Sequence, residues 1–314
     1  MPKVSVITPC YNSARYIEQT VMSVRAQTST DWEHLVVDDG SADGSGDVVR
    51  ALAKADDRLR VSSFENGGCA RARNRGFRQA TNDSTYLFFL DADDLIEPQF
   101  LETMVRYLDA HPDVGLAYSG FTVIDEKNSL LAADPLNAGW HPRFTTRACG
   151  VRKIPDSEPE TPFESIWAIT AIIPSCAFFR RSIYEQTPGW DEDIGVIYED
   201  VGLYLHMALR SHVHYVSKKL VRYRKHGSQS SMAVERFDRN LKRMRAKWDD
   251  LRSLTPEQRL VVRRAVWFHE GRFGPYSGVR HGNTLCRQGK LALAGRLYGG
   301  AIRRYLASFV SRPR

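Results

Sequence analysis

Tyr86-Leu-Phe-Phe-Leu90-Asp91-Ala-Asp93-Asp94 begins with five apolar residues and ends on three carboxylates within four positions. An apolar run without alternation reads as a strand buried on both faces, the condition of strands in parallel sheets. The aspartates then fall just beyond its carboxyl end, where open α/β sheets collect their ligands. Outward from this stretch the same pattern repeats. Strands are expected at Val4 to Thr8, His34 to Val37, Leu59 to Phe64 and Gly115 to Gly120. Helical patterns separate them at Ala14 to Gln27, Asp43 to Ala55, Cys69 to Ala80 and Pro98 to Ala110, the last with proline at its favoured first turn. Such alternation implies right-handed crossovers and a mainly parallel sheet flanked by helices, a Rossmann-like α/β fold.

A second acidic cluster, Asp38-Asp39-Gly-Ser-Ala-Asp43, follows the second strand. Two such clusters facing one cleft repel each other unless a cation or hydrogen-bond donors compensate. Taken singly, Asp38, Asp43 and Asp94 also read as helix caps or turn formers. The spacing Asp91-x-Asp93 suits a hard divalent cation, Mg²⁺ or Mn²⁺, with coordination positions left for phosphate oxygens. Between the clusters, Asn66-Gly-Gly-Cys-Ala-Arg71-Ala-Arg73-Asn74-Arg75 offers glycines for close backbone approach and arginines for phosphate. The same segment also reads as an ordinary helix with a solvated basic face.

From Phe121 to about Pro162 prolines mark loops. Periodicity returns at Ile166 to Arg180, with a helix expected from about Glu199 to Arg210 and a strand near Val213 to Val216. The 314 residues carry a net charge of +7, unevenly placed. From Ser231 onward there are 19 Lys and Arg against 6 Asp and Glu, whereas residues 1–230 hold 25 against 31. This divides the chain into 1–120, 121–230 and a basic helical extension, 231–314. Within the extension, Leu291, Ala294, Tyr298, Ala301, Ile302, Tyr305, Leu306 and Phe309 share one helical face, with Arg296, Arg303 and Arg304 opposite. Residues 290–310 therefore suit an anionic membrane surface, a partner subunit or the enzyme body.

Taken in order and spacing, these runs resemble the inverting family 2 glycosyltransferases of the GT-A fold. The resemblance rests on Val4-Ser-Val-Ile-Thr8-Pro-Cys-Tyr-Asn12, Val37-Asp-Asp39, Asn66-Gly-Gly with Ala72-Arg-Asn74, and Phe89-Leu-Asp-Ala-Asp-Asp94. It continues through Gly189-Trp-Asp-Glu192, Tyr198-Glu-Asp-Val-Gly-Leu203 and Tyr223-Arg-Lys-His226 to residue 230. It implies a nucleotide-sugar donor, UDP or dTDP for preference, a divalent metal, and a saccharide or lipid-linked acceptor. Residue by residue, it assigns Thr8, Pro9 and Tyr11 to the edge of the nucleotide pocket, Asp39 to the base and Arg73 to the diphosphate. Asp91 is placed near the ribose and metal, and Asp93 on the metal, with His226 beside it. Asp200 is the implied base, with Glu199 next to it. The loop-rich stretch 125–165, together with Trp167, Trp190, Asp191 and Tyr198, is the candidate acceptor side; buried packing is the competing reading for each tryptophan. Cell-surface polysaccharide or glycolipid synthesis, in the cytoplasm or on the inner face of the plasma membrane, is the expected setting.

Other classes fit less well. A nucleotidyltransferase would carry a Gly-rich basic loop after the first strand, where Thr8-Pro-Cys-Tyr-Asn12 stands. No G-x-G-x-x-G supports a dinucleotide dehydrogenase. A nucleic-acid partner is not expected, because no helix-turn-helix, zinc-finger or RNP-type signature accompanies the positive charge. The N-terminus enters a strand without a signal-peptide pattern, and no apolar stretch is long enough to span a membrane. Five scattered cysteines with no C-x-x-C pair point to a reduced compartment and argue against a zinc site.

Overall fold

The computed structural model describes residues 2–133, 144–147, 150–168, 172–194, 198–227, 229, 237–248, 254–268, 300, 301, 303 and 304. The amphipathic helix expected over 290–310 lies outside these residues, save four positions. Two compact units are distinguished: Met1–Trp140 with Asp156–Glu160 and Ile172–Lys247, and His141–Pro155 with Thr161–Ala171 and Trp248–Arg314.

In the first unit the chain alternates as expected: β1 Val4–Cys10, α1 Ile17–Arg25, β2 Trp32–Asp38, α2 Ser45–Ala53, β3 Leu59–Ser63, α3 Cys69–Gln79 and β4 Tyr86–Phe89. A short β5, Leu95–Ile96, precedes α4, Phe100–Ala110, and a long β6, Val114–Ile124. β1, β2 and β4 are buried along almost their whole length, which is why their sequences are apolar without alternation. The helix α3 turns Ala70, Ala72, Arg73 and Gly76 inward. A Cβ at Gly76 would stand 2.4 Å from Ile7 Cγ2, so glycine is what lets this helix lie close on β1.

After β7, Leu130–Ala132, this unit resumes with a 3₁₀ turn at Pro174–Cys176. The nine-stranded sheet runs β3-β2-β1-β4-β10-β6-β11-β5, with β7 beside β6. Six of these strands point one way. Antiparallel β10, Ala177–Arg180, is inserted between β4 and β6, and β11, His212–Arg224, pairs parallel to β6. Three features go beyond the sequence expectation. β6 continues through Phe121 to Ile124, where a loop was expected, because Phe121, Val123 and Ile124 all find core partners. β10 occupies the end of a stretch that reads as continuous periodicity. β11 is thirteen residues long, carrying the chain from one end of the sheet to the other.

α6, Arg181–Tyr184, and α7, Glu199–Ala208, complete the order up to α8, Phe237–Ala246. The second unit contains the hairpin β8 Phe144–Arg147 with β9 Gly150–Lys153, and the helices α5, Phe163–Ala168, and α9, Pro256–Phe268. Its core gathers Ile166, Val262 and Ala265 beside an aromatic cluster in which Trp248 meets Phe163 and Trp167 edge-on. Trp167 is thus a packing residue in this structure. Among the described residues no helix is long and apolar enough to cross a membrane.

Candidate active site

The ends of β1, β2 and β4 bring both acidic clusters to one edge of the sheet. They behave differently there. Asp39 is buried, and its oxygens accept hydrogen bonds from the Gly67 and Gly68 amides, at 3.0 and 2.7 Å, and from Arg75 Nη1 at 3.0 Å. Gly68 has φ +89°, a conformation that lets both amides aim at one carboxylate ahead of α3. Asp38 accepts from Ser41 N and Ser63 Oγ, and Asp43 from Ala14 N and Ser45. The β2-end carboxylates therefore hold loops.

At the β4 end the negative charge is less well compensated. Asp94 is buried, accepting from Ser175 Oγ at 2.5 Å and Arg224 N at 2.9 Å; burial, with Asp93 and Asp91 nearby, holds its pKa well above the ordinary carboxylate range. Thr20 Oγ1 donates to the carbonyls of Ala92 and Asp94, pinning the loop. Asp91 meets Arg73 Nη2 at 2.7 Å, yet burial still raises its pKa, with Asp93 adding to the effect. Asp93 Oδ2 lies 2.8 Å from His226 Nε2, and the His226 ring leans on Tyr16 at 4.7 Å. A carboxylate and an imidazole at contact distance, amid surplus carboxylate charge, form a donor set that fits a divalent cation.

The later part of the chain reaches this cluster through Arg73. Its buried guanidinium donates to Asp91 and, at 3.0 Å, to Glu199 Oε1, and stacks 4.3 Å over Trp190. Cys69 Sγ also donates to Glu199; burial pushes this thiol up to about 12, so it stays protonated at neutral pH. Asp200, in the first turn of α7, accepts from Val201 N at 2.8 Å. Burial and then the neighbouring Glu199 push its pKa up to about 8. Tyr198, just before it, has φ +73°, a strained conformation for a tyrosine. Among the described residues Glu199 Oε2, Arg73 Nε and Tyr204 Oη are buried without a hydrogen-bond partner. Orphaned polar atoms around a raised carboxylate mark a place prepared for a polar ligand.

The sequence-derived residues therefore separate into groups. Asp93 and His226 meet directly; Asp91, Arg73 and Glu199 form one chain of contacts, with Asp200 next to Glu199. Asp39 sits at the neighbouring strand end, its oxygens given to Gly67, Gly68 and Arg75. Tyr11 is 54% exposed at the mouth of this edge, and Pro9 lies at the end of β1. Thr8 is fully buried and bonds His34 Nε2 at 2.9 Å within the sheet, away from the open side. Trp190 is buried among Phe89, Phe179 and Tyr204, and Asp191 pairs with Lys247. Sequence reasoning did not find Arg224, whose backbone N–H supports Asp94 and whose Nε donates to the Asp93 carbonyl. Nor did it find Ser175, which holds Asp94, or Asn74 as the clamp that binds Trp190 N and O across 116 positions. Asn74 and Arg224 left only their places in the Ala72-Arg-Asn74 and Tyr223-Arg-Lys-His226 runs, and Ser175 left none.

Comparison with known proteins gives the family and the fold. The family model of glycosyl transferase family 2 matches residues 5–187. Glycosyltransferase GlyA of Streptococcus pneumoniae is 27% identical over 237 residues, 75% of this chain and 32% of its own length. TuaG of Bacillus subtilis, named for teichuronic acid biosynthesis, is 37% identical over 131 residues, 41% of this chain and 51% of its own. The chain thus spans about half or less of these curated relatives. Among solved structures, the Pyrobaculum calidifontis mannosyltransferase PcManGT in complex with GDP-Man and Mn²⁺ has a TM-score of 0.60 at 20% identity, covering 99% of this chain and 85% of its own. Staphylococcus aureus TarS residues 1–349 in complex with UDP-GlcNAc has a TM-score of 0.57 at 17% identity, covering 96% and 92%. These neighbours share the GT-A architecture, the α/β fold expected from the sequence.

Proposed function

The chain belongs to glycosyl transferase family 2, and from that premise we propose that it transfers a sugar, with inversion, from a nucleotide diphosphate sugar to a hydroxyl of a saccharide or lipid-linked acceptor. The observation that carries this reading is the linked arrangement of the Asp93–His226 pair and the Arg73-bridged carboxylates Asp91 and Glu199, with Asp200 beside them. Asp93 and His226 would hold Mg²⁺ or Mn²⁺, and Asp91, turned to Arg73, would lie on the ribose side. A bound metal supplies Lewis-acid stabilisation of the departing diphosphate.

The chain's own residues supply the rest. In an oxocarbenium-like transfer the acceptor hydroxyl must lose its proton as it attacks. Asp200 takes that proton: a carboxylate whose pKa lies near 8 is a far better acceptor than an ordinary one. Arg73 bridges Glu199 and Asp91, tying the residue next to the base to the donor side. Tyr11 and the Gly67-Gly68 turn, braced by Asp39, would frame the nucleotide, with UDP or dTDP the preferred donor. TuaG's name, which refers to teichuronic acid biosynthesis, supports cell-surface polysaccharide synthesis as the setting; the inner face of a membrane is the location that would bring such an acceptor within reach. Residues 290–310 of the basic extension would meet anionic lipid or a partner subunit.

The test is a thermal-shift screen of UDP-, dTDP- and GDP-sugars with and without Mn²⁺, since a ligand bound to the native state raises its melting temperature. A shift that needs both sugar nucleotide and Mn²⁺ is expected. No shift with any donor, in either condition, overturns the donor assignment.

A further inference from the structure

The N-terminal end of β11, opposite the strand ends that carry the candidate active site, holds a second constellation of ligating groups. Among the described residues, Glu160, His212 and His214 are the only three such side chains whose ligand atoms all lie within 4.8 Å of one another. Glu160 Oε2 is 3.1 Å from His212 Nδ1 and 3.0 Å from His214 Nε2. Donors around a tetrahedral Zn²⁺ at the usual bond lengths stand about 3.3 Å apart, so the carboxylate is already close to ligating distance from both rings.

The surroundings are those of an oriented site. Glu160 is fixed by its backbone: it bridges antiparallel to His214, and Tyr215 N donates to the Pro159 carbonyl at 2.7 Å. His214, 12% exposed, has its other nitrogen, Nδ1, 3.0 Å from the Tyr107 hydroxyl. That hydroxyl serves either tautomer, and by accepting from Nδ1–H it leaves Nε2 with a free lone pair for a metal. Tyr107 is itself held by the stacked His111 ring at 4.3 Å. His212 Nε2 lies 3.9 Å from Asp113 Oδ2, the outer carboxylate that commonly accompanies a ligating histidine.

We propose that Glu160, His212 and His214 form a second metal site, for Zn²⁺ or a similar transition-metal ion, with water at the fourth position. Two imidazoles and one carboxylate are a borderline donor set, distinct from the oxygen-rich cluster at Asp93. The bound ion fastens the segment Asp156–Glu160 to β11 at the end of the sheet remote from the chemistry. The proposal does not depend on the glycosyl-transfer reading. Cysteine spacing carries no trace of it, because its ligands are imidazoles and a carboxylate, one of them about fifty positions away in the chain.

The test uses the full chain with Asp93→Ala, which removes metal binding at the other site, titrated with ZnCl₂ by isothermal calorimetry. One Zn²⁺ per chain is expected, with Co²⁺ in its place giving the visible absorption of a tetrahedral complex. Adding His212→Ala, at a position 57% exposed that the fold tolerates, is expected to weaken Zn²⁺ at least about tenfold, and Tyr107→Phe to weaken it about tenfold through loss of the orienting hydroxyl. Circular dichroism checks that each variant is folded, and Glu160→Gln, nearly isosteric, serves as the second ligand variant. Unchanged Zn²⁺ affinity in both His212→Ala and Glu160→Gln overturns the proposal, as does the absence of one-to-one binding at ~100 µM Zn²⁺, an affinity any three-ligand site should exceed.

Discussion

The acidic loops after β2 and β4 look alike in sequence and do opposite work. After β2, Asp38, Asp39 and Asp43 spend their charge inside the protein, on the Gly67 and Gly68 amides, Arg75, and the serines and amides of adjacent loops. After β4, Asp91, Asp93 and Asp94 crowd together with less compensation, and burial raises Asp91 and Asp94 toward their neutral forms. A carboxylate surrounded by N–H donors stabilises a fold; a carboxylate surrounded by carboxylates waits for a cation. The difference teaches that acidity beyond a strand end identifies a site only when the donors around it are counted.

The comparison is broken most severely at Asp93. Asp93→Ala is expected to lower turnover about 10³-fold, the several kcal/mol that metal stabilisation of a leaving group supplies. Its melting temperature without metal should hold or rise, since a repelling charge leaves Asp91 and Asp94. Steady-state rates with Mn²⁺ and a thermal melt read both. A fall in stability with activity kept would make the β4 loop structural like its neighbour. Asp200→Asn comes next, with a loss of roughly 10²- to 10³-fold in kcat, within the range for a general base. Its pH behaviour carries a sign. The folded pKa of about 8 lies above the unfolded value of about 3.9, so over that window the unfolded chain has released a proton the folded chain keeps, and stability falls as pH rises. The Asn variant lacks this slope. Its melting-temperature advantage over wild type should therefore grow from pH 5 to pH 8, while wild-type activity climbs through the same range.

At Asp39 the effect moves from catalysis to stability. Asp39→Asn exchanges a charged acceptor for a neutral amide in front of Gly67, Gly68 and Arg75, and should cost about 1.5–3 kcal/mol in denaturant unfolding. Unfolding free energy equal to wild type would mean that the β2 loop is held by something else.

Much of this contrast was legible in advance, and the unreadable part has identifiable causes. Alternating strands and helices from Val4 to Gly120 and the acidic strand ends come from local periodicity and composition, which survive in a single sequence. Which face a residue takes does not. The resemblance of the whole run assigns Thr8 to the pocket edge with Pro9 and Tyr11; the strand continues to Cys10, and in the structure Thr8 is buried in the sheet against His34. Trp190 shows the same ambiguity, since a ring ready to stack on a sugar and a ring packed under Arg73 have the same letter. Arg224, Ser175 and Glu160 act through partners 50 to 130 positions away, and no local pattern encodes those meetings. β10 was hidden because four residues of strand leave too little periodicity to separate them from the helix-like run before them.

The smallest effect sharpens the comparison at Asp43. This exposed side chain accepts from Ala14 N at 2.9 Å and Ser45 N at 3.0 Å, so it ties the loop after β1 to the entry of α2. Burial works against its charge, but the bonds from Ser45 and Ala14 outweigh it and hold its pKa below the ordinary carboxylate value. Asp43→Ala is expected to cost about 0.5–1 kcal/mol, the low end for loss of a capping carboxylate, because solvent competes at this site. For a carboxyl with a depressed folded pKa, the stabilisation is complete above the unfolded pKa of about 3.9 and disappears as pH falls through the folded one. The gap between wild type and Asp43→Ala should therefore be constant from pH 8 to 5 and close below about pH 4, opposite in direction to the Asp200→Asn gap. Chemical denaturation at three pH values reads both. A loss at Asp43 that shrinks as pH rises from 5 to 8 would mean that its charge, like those after β4, is held without enough donors.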